Sequence, residues 1–295
     1  MQKKHTSVKY ALIILTAAVL VFCGIFLIFH LTREKKNDEL VVTDLDVGKA
    51  DAAVIEYLDT VGIIDTGTSD AFDTIDSFLK DNTDAEIDYM ILTHYDKDHI
   101  GSAVRLMDCY DIGNIYLPDY VSEKKNYAPL MDAVRDRDDV TFVSKPLQFS
   151  YDDLTIEILP AEDKDAIIEG GEKIDNNMSL VCMMTYGEND LLFTGDVEKA
   201  RIKQMVRSAE EGEENLDCDW IKIPHHGRYQ KKEKELLDVA TPEYSVISTS
   251  REEPPEDELL QLLEEENIKN FGTYDGNVVT VCDGASITVE NHSGQ

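Results

Sequence analysis

Three stretches of this chain put metal-binding side chains directly behind an apolar run, and any fold it adopts must accommodate all three. They are Thr93–His99 (THYDKDH), Phe193–Asp196 (FTGD) and Ile223–Gly227 (IPHHG). Short apolar runs bounded by turn residues read as buried strands. His94, Asp96, Asp98 and His99, then Asp196, then His225 and His226 therefore stand where strands leave their sheets. Imidazole nitrogens and carboxylate oxygens are ligands for divalent metals. A TGD turn or an HH pair is a weak signal by itself, because aspartate caps turns and helices on ordinary grounds. Strand ends along one sheet edge converge in space, so three such ends in one chain predict one shared site.

The rest of the pattern predicts alternating strands and helices. LVVTDLD, AAVIEYL and VGIIDTG follow one another closely and predict a β-meander. Asp70–Lys80 reads as a helix, the strand Tyr89–Leu92 leads into the first motif, and a helix from near His99 carries Ile100, Val104 and Met107 at helical spacing. SLVCMMTYGENDLLFTGD predicts a hairpin turning at Tyr186–Asp190, followed by a helix from about Val197 with Ile202, Met205 and Val206 inward. Later strands (DWIKIP, YSVIST, NVVTVC, SITVE) alternate with helices near 231–240 and 255–266. Mixed sheets with helices on their outer faces give α/β or α+β layering. QLLEEEN is a solvated helix face with a leucine stripe, and SEKKNY is a loop at the edge of the site.

Tyr10–Leu31 contains no Asp, Glu, Lys or Arg over 22 residues, the length that spans a bilayer. It is long for a signal-peptide core and no small-x-small cleavage site follows, so an uncleaved anchor is expected. The organisation expected is a basic tail (1–9), a transmembrane helix (10–31), a linker (32–39) and one domain (40–295). Lys3, Lys4 and Lys9 precede the run, and a short basic tail before a single span stays inside, which places the large domain on the extracytoplasmic side of the cell membrane.

Of 28 basic and 60 acidic residues, the first 39 positions hold 6 and 3, leaving 22 and 57 beyond them and a net charge of −35 there. Such a surface repels polyanions and excludes a broad nucleic-acid-binding platform. An anionic substrate must be held locally. Cys109, Cys182, Cys218 and Cys282 form no close pair and no CxxC motif, so they supply neither a metal nor a redox site by pattern, and disulfides stay open.

These motifs resemble the metallo-β-lactamase fold hydrolases, whose H-x-H-x-D-H signature aligns with HYDKDH, and within them the hydrolase domain of the ComEC type of competence DNA-uptake channel. The similarity runs through LDVGKADA (Leu45–Ala52), IIDTG (Ile63–Gly67), LTHYDKDHIG, NNMSLV, LLFTGD and IKIPHHG. It implies a four-layer αβ/βα sandwich with a site for two divalent metal ions, Zn2+ or Mn2+ with Mg2+ as a further option, at one sheet edge. Carried over, His94 and Asp96 hold one metal, while Asp98, His99 and one of His225 and His226 hold the other. Asp196 bridges them. Asp98, Asp196 and His226 are then the catalytic positions, and Asp65, Thr93 and Lys222 orient the ligands from behind.

Two departures shape the expectation. Asp96 stands where most of the superfamily has a histidine, and no histidine lies between His99 and His225, where NNMS (Asn176–Ser179) takes the place of the usual ligand segment. An oxygen-richer site leans toward manganese or magnesium. Asn177, Ser179 and Arg228 are candidate substrate contacts, Arg228 because a cation pairs with a phosphate oxygen. The function expected is a membrane-anchored, metal-dependent hydrolase using a metal-activated water on a phosphodiester, such as an oligonucleotide, a nucleotide or an envelope phosphoester. Carboxylic ester or lactone hydrolysis on the same fold is a second reading. A degenerate metal-binding sensor or interaction module is a third.

Overall fold

The computed structural model describes residues 38–82, 86–162, 164, 167 and 174–292; the apolar run 10–31 and its flanks fall outside them. Among the described residues no helix is long and apolar enough to cross a membrane. The chain runs β1 (Leu40–Asp44), β2 (Ala53–Tyr57), β3 (Thr60–Ile64), α1 (Phe72–Asn82), β4 (Ile87–Ile91), α2 (Lys97–Ile100), α3 (Ala103–Cys109), β5 (Ile112–Pro118), α4 (Tyr127–Val134) and β6 (Val140–Val143). It continues through β7 (Leu147–Tyr151), β8 (Leu154–Leu159), α5 (Ile174–Asn177), β9 (Val181–Tyr186), β10 (Asn189–Phe193), α6 (Lys199–Glu211), β11 (Trp220–Lys222), α7 (Glu233–Ala240), β12 (Tyr244–Ile247), α8 (Asp257–Glu265), β13 (Lys269–Gly272), β14 (Asn277–Cys282) and β15 (Ile287–His292).

Side chains alternate across a strand, and here both faces are apolar. In β4 and its exit, Tyr89 and Ile91 point into one core while Met90 and Leu92 point into another. In β9, Cys182 and Met184 join the first of these, and Val181 and Met183 join a third. A strand buried on both faces needs cover on both. Two sheets result, ordered β15-β14-β1-β2-β3-β4-β5-β6 and β13-β12-β11-β10-β9-β8-β7. The shared core lies between them, from Leu40, Ile55 and Tyr89 to Ile156, Leu191 and Trp220. α1, α3 and α4 cover the outside of the first sheet through Ile75, Leu106 and Leu130, and α6, α7 and α8 cover the second through Ile202, Leu236 and Leu259. This is the four-layer sandwich that the resemblance implied.

The meander is present, with β1 and β2 and then β2 and β3 antiparallel, and so is the β9–β10 hairpin. Beyond these, β3 to β6 are mutually parallel, as are β10 to β13. Parallel neighbours end on the same side within each sheet, and the contacts among Asp65, His99, Asp196 and His226 bring the exits of β3, β4, β10 and β11 together.

The helix expected from near His99 begins at Lys97 and breaks after Ile100, leaving α2 and α3 as separate pieces. The break falls at Gly101, whose backbone stays helical while its hydrogen bond leaves the helix. Its N–H donates to Gly67 O at 2.8 Å, and a Cβ there would meet the Thr68 backbone at 2.4 Å. Ser102 then donates its hydroxyl to Thr68 O at 2.6 Å. The helix yields its continuity to a close crossing of the β3 exit.

Candidate metal centre

Five chain segments supply the site: the β1–β2 loop, and the exits of β3, β4, β10 and β11. The β3 exit places Asp65 in the left-handed region at φ 57°, which aspartate tolerates better than most residues. Its buried carboxylate accepts from Thr93 N and Thr93 Oγ1 at 2.7 Å each, and from His99 Nδ1 at 2.7 Å. Asp65 thus ties the β3 exit to the β4 exit and fixes His99 with its Nδ1 turned away from the cluster and its Nε2 turned toward it. Thr93 Oγ1 also lies 3.1 Å from His94 Nδ1, leaving His94 Nε2 free to face the same way.

The β10 exit is set by Gly195 at φ 54°, where a Cβ would press on Thr93 and Ser179 at 3.0–3.1 Å. That turn presents Asp196, whose N–H donates to Ser179 Oγ at 3.2 Å. The β11 exit holds His225 and His226 both in the left-handed region, at φ 49° and 54°, with Gly227 next at 78°. Strained backbone of this kind concentrates at functional sites. His226 Nδ1 donates to Ser248 O at 2.9 Å, which turns its Nε2 inward.

Asp196 is the centre of the arrangement. Its carboxylate oxygens stand 3.9 Å from His94 Nε2, 3.3 Å from His99 Nε2, 3.6 Å from His226 Nε2 and 4.0 Å from His225 Nε2. Asp98 Oδ2 lies 3.5 Å from His226 Nε2. Ligand atoms fall into overlapping groups, among them His94, His99 and Asp196, and Asp98, His99 and His226. His94 Nε2, His99 Nε2, His226 Nε2 and Asp196 Oδ1 are all buried without a hydrogen-bond partner. Buried polar atoms are ordinarily satisfied, and four orphans aimed at one point are what a divalent metal satisfies. The nitrogen-and-oxygen donor set suits zinc or manganese.

The electrostatics match a site built to balance positive charge. Burial opposes charge on His99, yet the Asp196 and Asp65 carboxylates hold its imidazolium well above the usual range. Burial likewise opposes the His226 imidazolium, but Asp196 and Asp51 raise it to about 9. Burial and the neighbouring His99 push His94 down to about 4. Asp196 stays far below the ordinary carboxylate range: burial raises it, and the surrounding His226, His99 and His94 outweigh that.

The structure thus brings together His94, Asp98, His99, Asp196 and His226, with Asp65 and Thr93 behind them. His226, rather than His225, joins the clustered groups; His225 Nδ1 instead lies 3.0 Å from Glu198 Oε1. Asp96 lies in none of the clustered groups among the described residues. Its two oxygens meet Lys124 Nζ at 2.6 and 2.8 Å. Asn177 is buried and its Oδ1 accepts from Glu198 N and Arg201 N at 3.2 and 2.9 Å, so it holds the start of α6. Ser179 holds the Asp196 turn. Arg228 is exposed, 4.0 Å from Glu256.

Asp51 is the residue that sequence reasoning passed over. It sits in LDVGKADA, buried, with Oδ1 3.4 Å from His226 Nδ1 and Oδ2 3.9 Å from His99 Nδ1 and 2.9 Å from Lys222 Nζ. Lys222 and the two histidines keep it ionised against the cost of burial. No local signal marks it: GKADA sets it between two small residues, Ala50 and Ala52, and the burial of all three is a product of the fold. Lys222, expected behind the ligands, reaches them through this carboxylate.

The model of the Metallo-beta-lactamase superfamily matches residues 45–251. ComE operon protein 3 of Bacillus subtilis is 29% identical over 192 residues, which cover 64% of this chain and 24% of that protein. Recombination protein 2 of Haemophilus influenzae is 24% identical over 168 residues, 57% of this chain and 18% of that one. The chain therefore spans about a quarter or less of the length of these relatives. Among solved structures, Tm1679, described as a metal-dependent hydrolase of the beta-lactamase superfamily, superposes with a TM-score of 0.54 at 13% identity, covering 81% of this chain and 98% of that one. At that identity the likeness speaks for the fold.

Proposed function

Because the chain belongs to the metallo-beta-lactamase superfamily, we propose that it is a metal-dependent hydrolase whose substrate is a phosphodiester. The observation that carries the reading is the convergence of unpartnered His94, His99 and His226 Nε2 atoms on the Asp196 carboxylate. His94, His99, His226, Asp98 and Asp196 would hold two divalent ions, with Asp196, within 3.9 Å of Nε2 of each of these histidines, shared between them. When bound, the metals supply Lewis acidity and an activated water.

The chain's own residues do the remaining work. The Asp65 carboxylate and the Ser248 backbone carbonyl each accept a hydrogen bond from Nδ1 of a histidine, which turns the opposite ring nitrogen toward the cluster. Asp98 is the most open carboxylate of the cluster, with a quarter of its side chain exposed. Burial raises its pKa, but His226 and His99 outweigh that and lower it to about 2; as a partly open carboxylate it would accept a hydrogen bond from an incoming water. The name of one relative, Recombination protein 2, favours a nucleic-acid substrate. The acidic surface favours a short or single-stranded one.

The assay is hydrolysis by the 40–295 region, metal by metal, on chromogenic phosphodiesters and carboxylic esters in parallel. Preference for the diester is expected. Turnover of carboxylic esters alone would move the chain to the second reaction class, and metal binding without turnover would make it a sensor. We also propose that residues 10–31 anchor this domain outside the cytoplasm, supported by the uncharged run and the lysines before it. Protease added to intact cells should remove the domain; protection until lysis would reverse the orientation.

A further inference from the structure

The cations around the site differ in what holds them. Lys222 is buried and taken up by Asp51. Lys49 meets Glu253 at 2.8 Å, and Arg228 turns toward Glu256. Lys124 pairs with a carboxylate inside the THYDKDH motif itself: Asp96, two residues from His94 on one side and from Asp98 on the other.

The segment that carries Lys124 is fastened to that motif. Tyr95, between His94 and Asp96, is buried, donates to Pro118 O at 2.6 Å and packs its ring against Tyr120 and Tyr127 at 4.9 and 4.8 Å. Tyr120 Oη donates to Asp175 Oδ1 at 2.9 Å, and Ser122 Oγ donates to the same oxygen. Ser122 Oγ also accepts Lys124 N at 3.1 Å. An ammonium held this way, with 42% of its side chain still exposed, gives up little further freedom when it meets an anion. Burial works against its charge, but Asp96, Asp175 and Asp98 more than offset that and keep it protonated.

An ammonium has three donors, and Asp96 occupies one side of it. Asp96 stands between two members of the cluster, His94 and Asp98, yet outside the clustered ligand groups, so through it Lys124 is tied to the motif without entering those groups. Resting on the phosphodiester reading above, we propose that Lys124 is a substrate-binding residue that takes an oxygen of the phosphate next to the one being cleaved, with Asp96 as its positioning residue. The substrate class is then a chain of phosphodiesters rather than a single one. On a chain with a net charge of −32, a polyanion would depend on such local donors.

The test compares a single-stranded oligothymidylate with bis-p-nitrophenyl phosphate, which has no neighbouring phosphate. In Lys124→Ala the ratio of kcat/KM for the oligonucleotide to that for the small diester should fall about tenfold, through KM. The slope of log affinity for a phosphorothioate oligothymidylate against log salt should flatten by about 0.7, the value of one lost contact on a single strand. Lys124→Arg should restore most of both, and Lys80→Ala, an exposed lysine on α1, should alter neither. An unchanged ratio and slope in Lys124→Ala, with wild type active, overturns this proposal alone. A wild type that neither binds nor cleaves the oligonucleotide overturns the phosphodiester reading and this proposal together.

Discussion

Replacing Asp65 by Asn asks whether the hydrogen bond behind His99 decides metal affinity. The native carboxylate accepts three hydrogen bonds of 2.7 Å, from Thr93 N, Thr93 Oγ1 and His99 Nδ1. Asparagine tolerates φ 57° about as well as aspartate, so the exit of β3 keeps its path. Its oxygen can still serve Thr93 N, which leaves an NH2 group facing His99 Nδ1. Two donors cannot face each other. His99 must then accept at Nδ1 and carry its proton on Nε2, the nitrogen that lies 3.3 Å from Asp196 and aims at the metal. Loss of such an outer partner costs about 10- to 100-fold in metal affinity, or roughly 1.4 to 2.8 kcal/mol. The assay is competition of the apoprotein with a chromophoric chelator for Mn2+ or Zn2+ at fixed pH. Affinity within twofold of wild type would refute the argument that Asp65 sets the His99 tautomer.

Three further outcomes follow from the same geometry. Asp196→Asn removes the negative charge common to all four histidines and should abolish binding of both metals in equilibrium dialysis; full metal content in that variant would rule out a shared carboxylate. Asp51→Ala strands the buried Lys222 ammonium, which should cost about 3 to 5 kcal/mol in denaturant unfolding, and Asp51→Asn combined with Lys222→Met should recover part of that loss. Glu233 is buried, and burial lifts its pKa from 4.5 to about 8, so its folded form keeps a proton that the unfolded form releases. Its contribution is complete below about pH 4.5 and lost as pH rises through 8, up to roughly 5 kcal/mol. Glu233→Gln should therefore flatten the fall of the urea midpoint between pH 5 and 8, and parallel curves for the two proteins would count against it.

The sequence carried the strand ends well because they announce themselves locally. Phe193–Asp196 and Ile221–Gly227 each switch from apolar residues to glycine, aspartate or histidine within a few positions, and the structure brings Asp196 and His226 together from those exits. Asp65 was legible for the same reason. Asp51 was not, because its role depends on a loop between antiparallel strands folding back under His99 and His226, and nothing in GKADA encodes that return. Strands β5 to β8 and β13 lay where the sequence reading placed no element. β6 exposes Phe142 and β7 alternates only between half-buried and exposed, so neither shows the apolar run of a central strand. β8, with LTIEIL alternating cleanly, was readable. The choice between His225 and His226 rested on two successive left-handed residues, a backbone conformation that propensity does not predict.

Asp96 is where motif and geometry assign different work to one residue, and the two assignments give different metal counts. As a ligand, Asp96 would supply a hard oxygen to the first metal, so Asp96→Ala would lose one equivalent and Asp96→His would keep two and shift preference toward zinc. As the partner of Lys124, whose ammonium meets both of its oxygens, Asp96 holds a cation beside the centre. His94, His99 and Asp196 retain their convergence without it. The structure therefore leads us to expect that Asp96→Ala binds as many equivalents as the parent. Its loss should appear in oligonucleotide KM and in salt dependence, and Asp96→Asn, which can accept from Lys124 through one oxygen, should fall between the two. Metal analysis after dialysis, run beside those kinetics, separates the roles: one equivalent lost from Asp96→Ala with substrate affinity intact would return Asp96 to the metal and leave Lys124 without its positioning residue.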